Sequence, residues 1–89
     1  MKAIMTVIGP DRVGIIAEVS ALLAKSNVNI LDLSQTIMEE IFTMTILVDT
    51  ATSSCSFDEI STALAAKGEE LSMSIRIQRR EVFTAMHKI

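Results

Sequence analysis

The sequence predicts an α+β fold in which two helices cover one face of a four-stranded antiparallel sheet. Three observations predict it. Two stretches have apolar residues at helical spacing, four are rich in β-branched residues, and they follow one another as β-α-β-β-α-β. This order is that of the split βαβ, or ferredoxin-like, two-layer sandwich.

The first strand and the first helix are joined by a loop of turn-forming residues. Ala3 to Ile8 is rich in Ile, Val and Thr and predicts a strand, and Ile15 to Lys25 predicts a helix. Between them, Gly9-Pro10 marks a break, and Asp11 is expected to cap the helix by accepting a bond from the amide of Gly14. The predicted buried stripe of this helix comprises Ile15, Ile16, Val19, Leu22 and Leu23.

The second strand, Val28 to Met38, is predicted to lie at an edge of the sheet. Ser26-Asn27 ends the helix before it, because both residues favour caps and turns. Polar residues occur on both faces of the strand, as expected at a partly exposed edge. Strict alternation assigns Asn29, Leu31, Leu33, Gln35 and Ile37 to one face, and Val28, Ile30, Asp32, Ser34, Thr36 and Met38 to the other.

The third strand, Ile41 to Asp49, alternates clearly. One set is expected to lie under the helices: Phe42, Met44, Ile46 and Val48. Thr43, Thr45 and Leu47 should form the opposite face together with Ile4 and Thr6. Since tight hairpin turns favour Asn and Gly, Glu39-Glu40 predicts a longer or bulged connection.

The second helix begins with a capping box, in which Ser56 caps and Glu59 answers three residues later. Phe57, Ile60 and Leu64 form its buried stripe, and Gly68 is its expected end. The last strand alternates Met73, Ile75 and Ile77 with Ser74, Arg76 and Gln78. Residues 1–80 are therefore interpreted as one domain. Residues 81–89 are interpreted as a short amphipathic tail that docks on the domain or on a partner.

Composition limits the functional classes. The chain has 89 residues, of which 49% are hydrophobic and 21% charged, so part of the apolar surface must remain exposed and self-association is expected. A net charge of −3 argues against nucleic acid and anionic membranes as partners. The chain has a single cysteine, and its first eight residues lack the layout of a secretion signal. We therefore expect a cytoplasmic protein.

The chain offers little for catalysis or metal binding. The only histidine is His87 and the only cysteine is Cys55, and neither has a sequence neighbour suited to act as its base or co-ligand. We therefore predict no enzyme activity, no metal and no cofactor. An RNA-recognition module of this topology would need exposed aromatic residues, but Phe42 is expected to face the core.

Three segments together resemble the ACT domain, a small-molecule-sensing module. They are Asp11-Arg12-Val13-Gly14 after the first strand, Val28-Asn29-Ile30 at the start of the second, and Phe42-Thr43-Met44 in the third. The resemblance covers residues 1–80. The chain is similar to stand-alone single-ACT-domain proteins of bacteria and archaea and, more distantly, to the glycine-cleavage repressor group. It departs from many ACT loops in having Val13 where they have proline.

The resemblance implies a regulatory, non-catalytic domain that forms a homodimer and binds a small amino acid or related metabolite at the subunit interface. Asp11, Arg12, Val13 and Gly14 would form one wall of the site, and Asn29 and Ile30 of the other subunit the second wall. A carboxylate would bind near the amides of Val13 and Gly14. The signal would pass to a separate protein, such as a regulated enzyme or a transcription factor. The alternative is a protein-interaction module without a ligand, acting through the edge strand or the tail.

Overall fold

The computed structural model describes residues 1–10 and 13–81, which form a single sheet with two helices. The elements are β1 (Lys2–Pro10), α1 (Ile15–Lys25), β2 (Asn29–Met38), β3 (Ile41–Asp49), α2 (Phe57–Leu71) and β4 (Ser74–Arg79). All neighbouring strands are antiparallel, and their order is β2-β3-β1-β4. The predicted ferredoxin-like fold is confirmed, and β2 is an edge strand as expected.

The core lies between the helices and one face of the sheet, which we call the inner face. The two central strands contribute Ala3, Met5, Val7, Phe42, Met44, Ile46 and Val48, all of them buried. The predicted phase of β3 is therefore confirmed. The opposite, outer face pairs Ile4 with Leu47 and Thr6 with Thr45, as predicted, and these four side chains are partly exposed.

Helix α1 buries a narrower stripe than expected. Ile15, Val19 and Leu23 are buried, whereas Ile16 is 38% exposed at the end of the helix nearest the β1–α1 loop. The expectation that Ile16 is buried is wrong, because Ile16 lines an open cleft beside β2, a strand whose ten residues are all exposed. The helix ends at Lys25 with Ser26 as its C-cap, and Asn27 adopts a left-handed conformation with φ 57°, which confirms the predicted end.

Helix α2 begins as predicted and ends later. The Ser56 hydroxyl accepts from the Glu59 amide at 3.1 Å, and the Ser56 amide donates to the Glu59 carboxylate at 2.9 Å. The bond from the Ser56 amide lowers the pKa of that carboxyl. Gly68 does not end the helix, which continues to Leu71 with Ser72 as its cap in a left-handed conformation. Gly68 is buried instead, and a Cβ there would lie 2.7 Å from the carbonyl oxygen of Met73.

The connection between β2 and β3 is the two-residue turn that the sequence argued against. Met38 pairs with Ile41, and both Glu39 and Glu40 have positive φ, 48° and 71°. Both residues thus adopt the left-handed conformations that asparagine and glycine usually supply in such turns. The phases of the two strands, which set Ile37 opposite Phe42, impose the short connection.

A β-bulge at Leu31 interrupts the alternation of β2. Ile30 pairs with Val48 and Asp32 with Leu47, so Leu31 is the extra residue. Ile30 therefore lies on the inner face with Leu33, Gln35 and Ile37. It does not share a face with Asp32 and Ser34, as strict alternation had assigned it.

Candidate functional site

The start of α1 is shaped by Gly14. Gly14 is the N-cap residue, with φ 90° and ψ 0°, and no side chain caps the helix there. The expectation that Asp11 is the N-cap is therefore wrong, because the left-handed Gly14 delays the helix until Ile15. Asp11 and Arg12 themselves lie outside the described residues. A Cβ at Gly14 would meet no described atom within 4 Å, so the space above it is open.

The first turn of α1 presents backbone donors. The first intrahelical bond runs from the Glu18 amide to the Gly14 carbonyl, at 2.9 Å. The amides of Ile15, Ile16 and Ala17 precede it and have no acceptor within the helix. Together with the helix dipole, they favour an anion at this end.

The one acidic side chain of this turn is held by a lysine of the other helix. Lys67 Nζ lies 3.2 Å from Glu18 Oε2 and 3.2 Å from Glu70 Oε2. Glu18 and, next, Glu70 raise the pKa of Lys67 through these hydrogen bonds. An anion at the start of α1 would therefore face a Glu18 carboxylate whose charge Lys67 offsets only in part, because the lysine is shared with Glu70.

An open cleft of about 540 Å³ lies beside this turn. Its lining joins the start of α1 to the second half of β2 and the first buried residue of β3: Gly14, Ile15, Ile16, Ala17, Gln35, Ile37 and Phe42. Its volume is typical of small-molecule sites. The wall is apolar apart from backbone groups and the exposed amide of Gln35, so the cleft suits a small molecule with one polar end.

The sequence did not identify Gln35 and Ile37 as residues that line a cleft, nor Ile16 as an exposed residue. The topology contains the signal that would have found them. Since β1 and β2 are both antiparallel to β3, they are parallel to each other, and α1 returns between them. The last residues of β2 therefore lie at the same end of the sheet as the start of α1.

Val13 and Gly14 lie at this cleft end of α1, whereas Asn29 and Ile30 lie at the opposite end. The 11 residues of α1 separate the two pairs by about 16 Å. Asn29 pairs with Asp49 on the outer face, and Ile30 lies on the inner face. Asn29 also lines a smaller cleft of about 380 Å³ with Ala24, Asn27, Val28 and Thr52. Within one chain, the two predicted walls do not meet.

The edge strand is unusually open. All ten residues of β2 are exposed, and they include Ile30, Leu31, Leu33, Ile37 and Met38. Soluble proteins normally protect such edges with charges, prolines or bulges. Here Asp32 provides one such protection, because its carboxylate accepts the Leu33 amide at 2.8 Å. That amide is therefore directed away from β3, towards the free edge.

The remaining candidates for chemistry are placed as follows. Cys55 is partly buried against the core, with its Sγ 3.9 Å from the Ser54 hydroxyl. Within residues 1–10 and 13–81, no three histidine, cysteine or carboxylate side chains group as metal ligands would. His87 and the predicted tail from residue 82 onwards lie outside the described part of the chain. The helices of the described part are too short or too polar to cross a bilayer.

Comparison with known proteins decides the family. The family model for the ACT domain matches residues 2–78. This chain belongs to the ACT-domain family. The expected resemblance is thereby confirmed, and the match spans both walls of the candidate site.

Relatives of this ACT domain occur in bacteria and archaea. A UPF0237 protein of Listeria innocua is 54% identical over the whole of both chains. A UPF0237 protein of Methanococcus maripaludis is 44% identical and covers 99% of this chain and 98% of its own. They are similar in length as well as in sequence.

Solved structures agree. An ACT domain protein from Streptococcus pneumoniae superposes with a TM-score of 0.82 at 40% identity, over 93% of each chain. The regulatory subunit of aspartate kinase from Thermus thermophilus superposes with a TM-score of 0.68 at 23% identity, over 86% of this chain and 50% of its own. This second likeness shows a shared fold.

Proposed function

We propose that this ACT domain is a non-catalytic regulatory module of the cytoplasm that binds a small amino acid, or a related metabolite, as a homodimer. The ligand would lie at the interface between the two copies. The observation that carries the proposal is the open cleft between the first turn of α1 and the exposed end of β2.

The cleft offers groups for the two parts of such a ligand. A carboxylate would accept from the amides of Ile15, Ile16 and Ala17, which have no acceptor within the helix. The hydrocarbon part would pack on Ile16 and Ile37, which are 38% and 57% exposed in the single chain. The amide of Gln35 would bind the remaining polar group. Asp11, Arg12 and Val13 complete this wall in the proposal.

The second wall would come from another copy of the chain. Two β2 strands can pair antiparallel about a two-fold axis, which sets the start of one strand opposite the end of the other. Ile30 of the partner subunit would then lie beside Ile37, at the mouth of the cleft, with Asn29 of the partner subunit next to it at the end of the seam. The apolar residues that β2 exposes would be buried by the same contact.

A regulatory role is supported by a likeness in fold to a protein whose name describes one, the regulatory subunit of aspartate kinase. We propose that the bound state is read by a separate protein, either a regulated enzyme or a transcription factor.

Ligand binding can be tested directly on the intact chain. Each of the twenty amino acids, supplied singly at millimolar concentration, would be screened by thermal shift, and every hit measured by calorimetry. We expect at least one to raise the melting temperature, since a ligand that binds only the folded state stabilises it. If none of the twenty does so, amino-acid sensing is contradicted.

Gly14→Asn tests the place of binding. Asparagine tolerates the left-handed conformation better than other residues, so the fold should persist, while the new side chain enters the open space above Gly14. We expect at least a tenfold loss of affinity for the amino acid found in the screen. Ala66→Asn, on the exposed surface of α2, is the matched control and should bind normally. Equal affinity in both variants would place the ligand elsewhere.

A protein-interaction module without a ligand is the second candidate, and the turn end of the β2–β3 hairpin favours it. Met38 and Ile41 are 69% and 54% exposed there. A Met38→Glu/Ile41→Glu double variant should abolish capture of a protein partner if this surface binds one. A chain ending at Glu81 tests the alternative of docking through the tail. Capture unchanged in both variants would contradict both routes.

A further inference from the structure

We propose that β2 pairs with β2 of a second copy in a single register centred on Ser34, and that the bulge at Leu31 lets this register extend over the full length of the strand. The inference rests on the homodimer of the proposed function and adds to it the residues that face one another. It concerns an interaction surface whose occupant is a second copy of this chain.

Symmetry restricts how a strand can pair with itself. A two-fold axis perpendicular to the sheet keeps every side chain on its own face, and directly opposite residues of an antiparallel pair lie on the same face. In a strictly alternating strand of ten residues, the first and the tenth lie on different faces. Such a strand cannot pair with itself along its full length.

The bulge removes this obstacle in β2. Asn29 pairs with Asp49 and Met38 with Ile41, so both ends of the strand lie on the outer face. Next to them, Ile30 and Ile37 both lie on the inner face. Full-length self-pairing then becomes possible. It sets Asn29 opposite the partner's Met38, Ile30 opposite the partner's Ile37, Asp32 opposite the partner's Thr36, Leu33 opposite the partner's Gln35, and Ser34 opposite the partner's Ser34.

The hydrogen bonds of the edge agree with this register. The Leu33 amide, held by Asp32 at 2.8 Å, is directed to the free edge. Alternate residues of a strand direct their backbone groups to the same side, so Gln35 shares this direction. Leu33 and the partner's Gln35 can therefore exchange backbone bonds across the seam. On pairing, the Leu33 amide would exchange the Asp32 carboxylate for a carbonyl of the partner.

This register also completes the cleft. Ile37, which lines the cleft and is 57% exposed, would meet the partner's Ile30. The neighbouring register, centred on Gln35, would set Leu33 opposite the partner's Ile37. Ile30 would then lie beyond the end of the partner's strand, beside the Glu39-Glu40 turn, and would remain exposed. The register centred on Ser34 buries more apolar surface and is favoured for that reason.

Disulfide trapping tests the register. In a Cys55→Ser background, Ser34→Cys should give a covalent dimer under mild oxidation. Opposite residues of this kind have Cα atoms about 4.5–5.5 Å apart, which a disulfide can span. Gln35→Cys and Thr36→Cys are matched controls, because their Cα atoms would be about 8 and 14 Å from their own copies. Both controls should stay largely uncrosslinked.

The possible outcomes test the register, the homodimer and ligand binding separately. If light scattering shows a dimer but the crosslink forms through Gln35→Cys, or through neither Ser34→Cys nor Gln35→Cys, the register is overturned. The homodimer then still stands. A monomer by light scattering overturns the register and the homodimer of the proposed function together. Ligand binding is measured separately by calorimetry, so loss of the register alone leaves amino-acid binding untouched.

Deletion of Leu31 tests the role of the bulge. Without Leu31, nine strictly alternating residues remain, and the first and the ninth lie on the same face, so full-length pairing centred on Ser34 is retained. We expect the Ser34→Cys crosslink to keep its yield while the circular dichroism of the sheet persists. A tenfold fall in yield in a folded, dimeric deletion variant would show that Leu31 takes part in the pairing, which contradicts the role given to the bulge. Should the deletion unfold the chain, crosslinking of the combined Asn29→Cys/Met38→Cys variant decides instead, since these positions face each other only if Leu31 is left out of the pairing.

Discussion

At the scale of single residues, the glycines carry different roles that composition does not distinguish. Gly14 adopts a left-handed conformation and opens the cleft, whereas Gly68 has no positive φ and lies inside α2. A glycine is needed at this position because Met73 approaches it closely. The Met73 amide donates to the Gly68 carbonyl at 2.8 Å. The sequence suggested a helix end at Gly68, because glycine near the end of an apolar pattern usually marks one.

Gly68→Ala should therefore destabilise the protein. Alanine favours a helix by about 1 kcal/mol over glycine, but its Cβ would lie 2.7 Å from the Met73 carbonyl oxygen and 3.3 Å from Ile75 Cγ1. Overpacking of this kind costs about 1–3 kcal/mol, so we expect a net loss of about 1 kcal/mol in urea unfolding. Ala66→Gly, on the exposed side of α2, measures the helix-propensity contribution alone. A stabilised Gly68→Ala variant would show that β4 does not approach the helix this closely.

At the scale of elements, the hairpin of β2 and β3 contains two departures from the sequence prediction, its tight turn and its bulge. Its strands were predicted because β-branched residues and alternation mark them clearly. Its turn was not predicted, because neither Glu39 nor Glu40 is of a residue type that prefers positive φ. The pairing of the strands on either side imposes the turn instead. The bulge at Leu31 has no signal in the local sequence either, and it moved Ile30 to the inner face.

Replacing the turn with Glu39→Asn/Glu40→Gly should stabilise the protein. A residue other than glycine or asparagine pays about 1–2 kcal/mol for the left-handed conformation, and both positions adopt it. We expect a gain of about 1–2 kcal/mol in the free energy of unfolding, measured by urea denaturation. The Glu39→Gln/Glu40→Gln variant removes the charges and keeps the backbone demand, so it should change stability little. Equal gains in both variants would attribute the effect to charge repulsion instead.

The candidate site was predictable in part. Gly14 was expected at the first wall from its place between a strand and a helix, and it lines the cleft. Gln35 and Ile37 were not expected, because they lie more than twenty positions further along the chain and are brought near only by the parallel course of β1 and β2. Whether Asn29 and Ile30 reach the cleft depends on a second copy, which no single-chain argument determines.

At the scale of the whole molecule, the protein's apolar surplus is concentrated at one side. Most large apolar residues exposed in the described part lie at the start of α1, along β2 or at the start of β3. The core beneath the helices is closed, and no buried side-chain polar atom among the described residues lacks a hydrogen-bond partner. Among the described residues, the exposed apolar surface thus lies mainly at the edge strand and the cleft, where the proposed pairing would bury it.

Sedimentation of the dimer with and without bound amino acid tests the central claim most directly. If the ligand binds between subunits, binding and dimerisation are coupled, and each must strengthen the other. The dimer dissociation constant should then fall at least tenfold in a saturating concentration of the amino acid found in the screen, and stay unchanged in Gly14→Asn. A dissociation constant that is the same with and without ligand would place the ligand within one subunit and contradict a site at the interface.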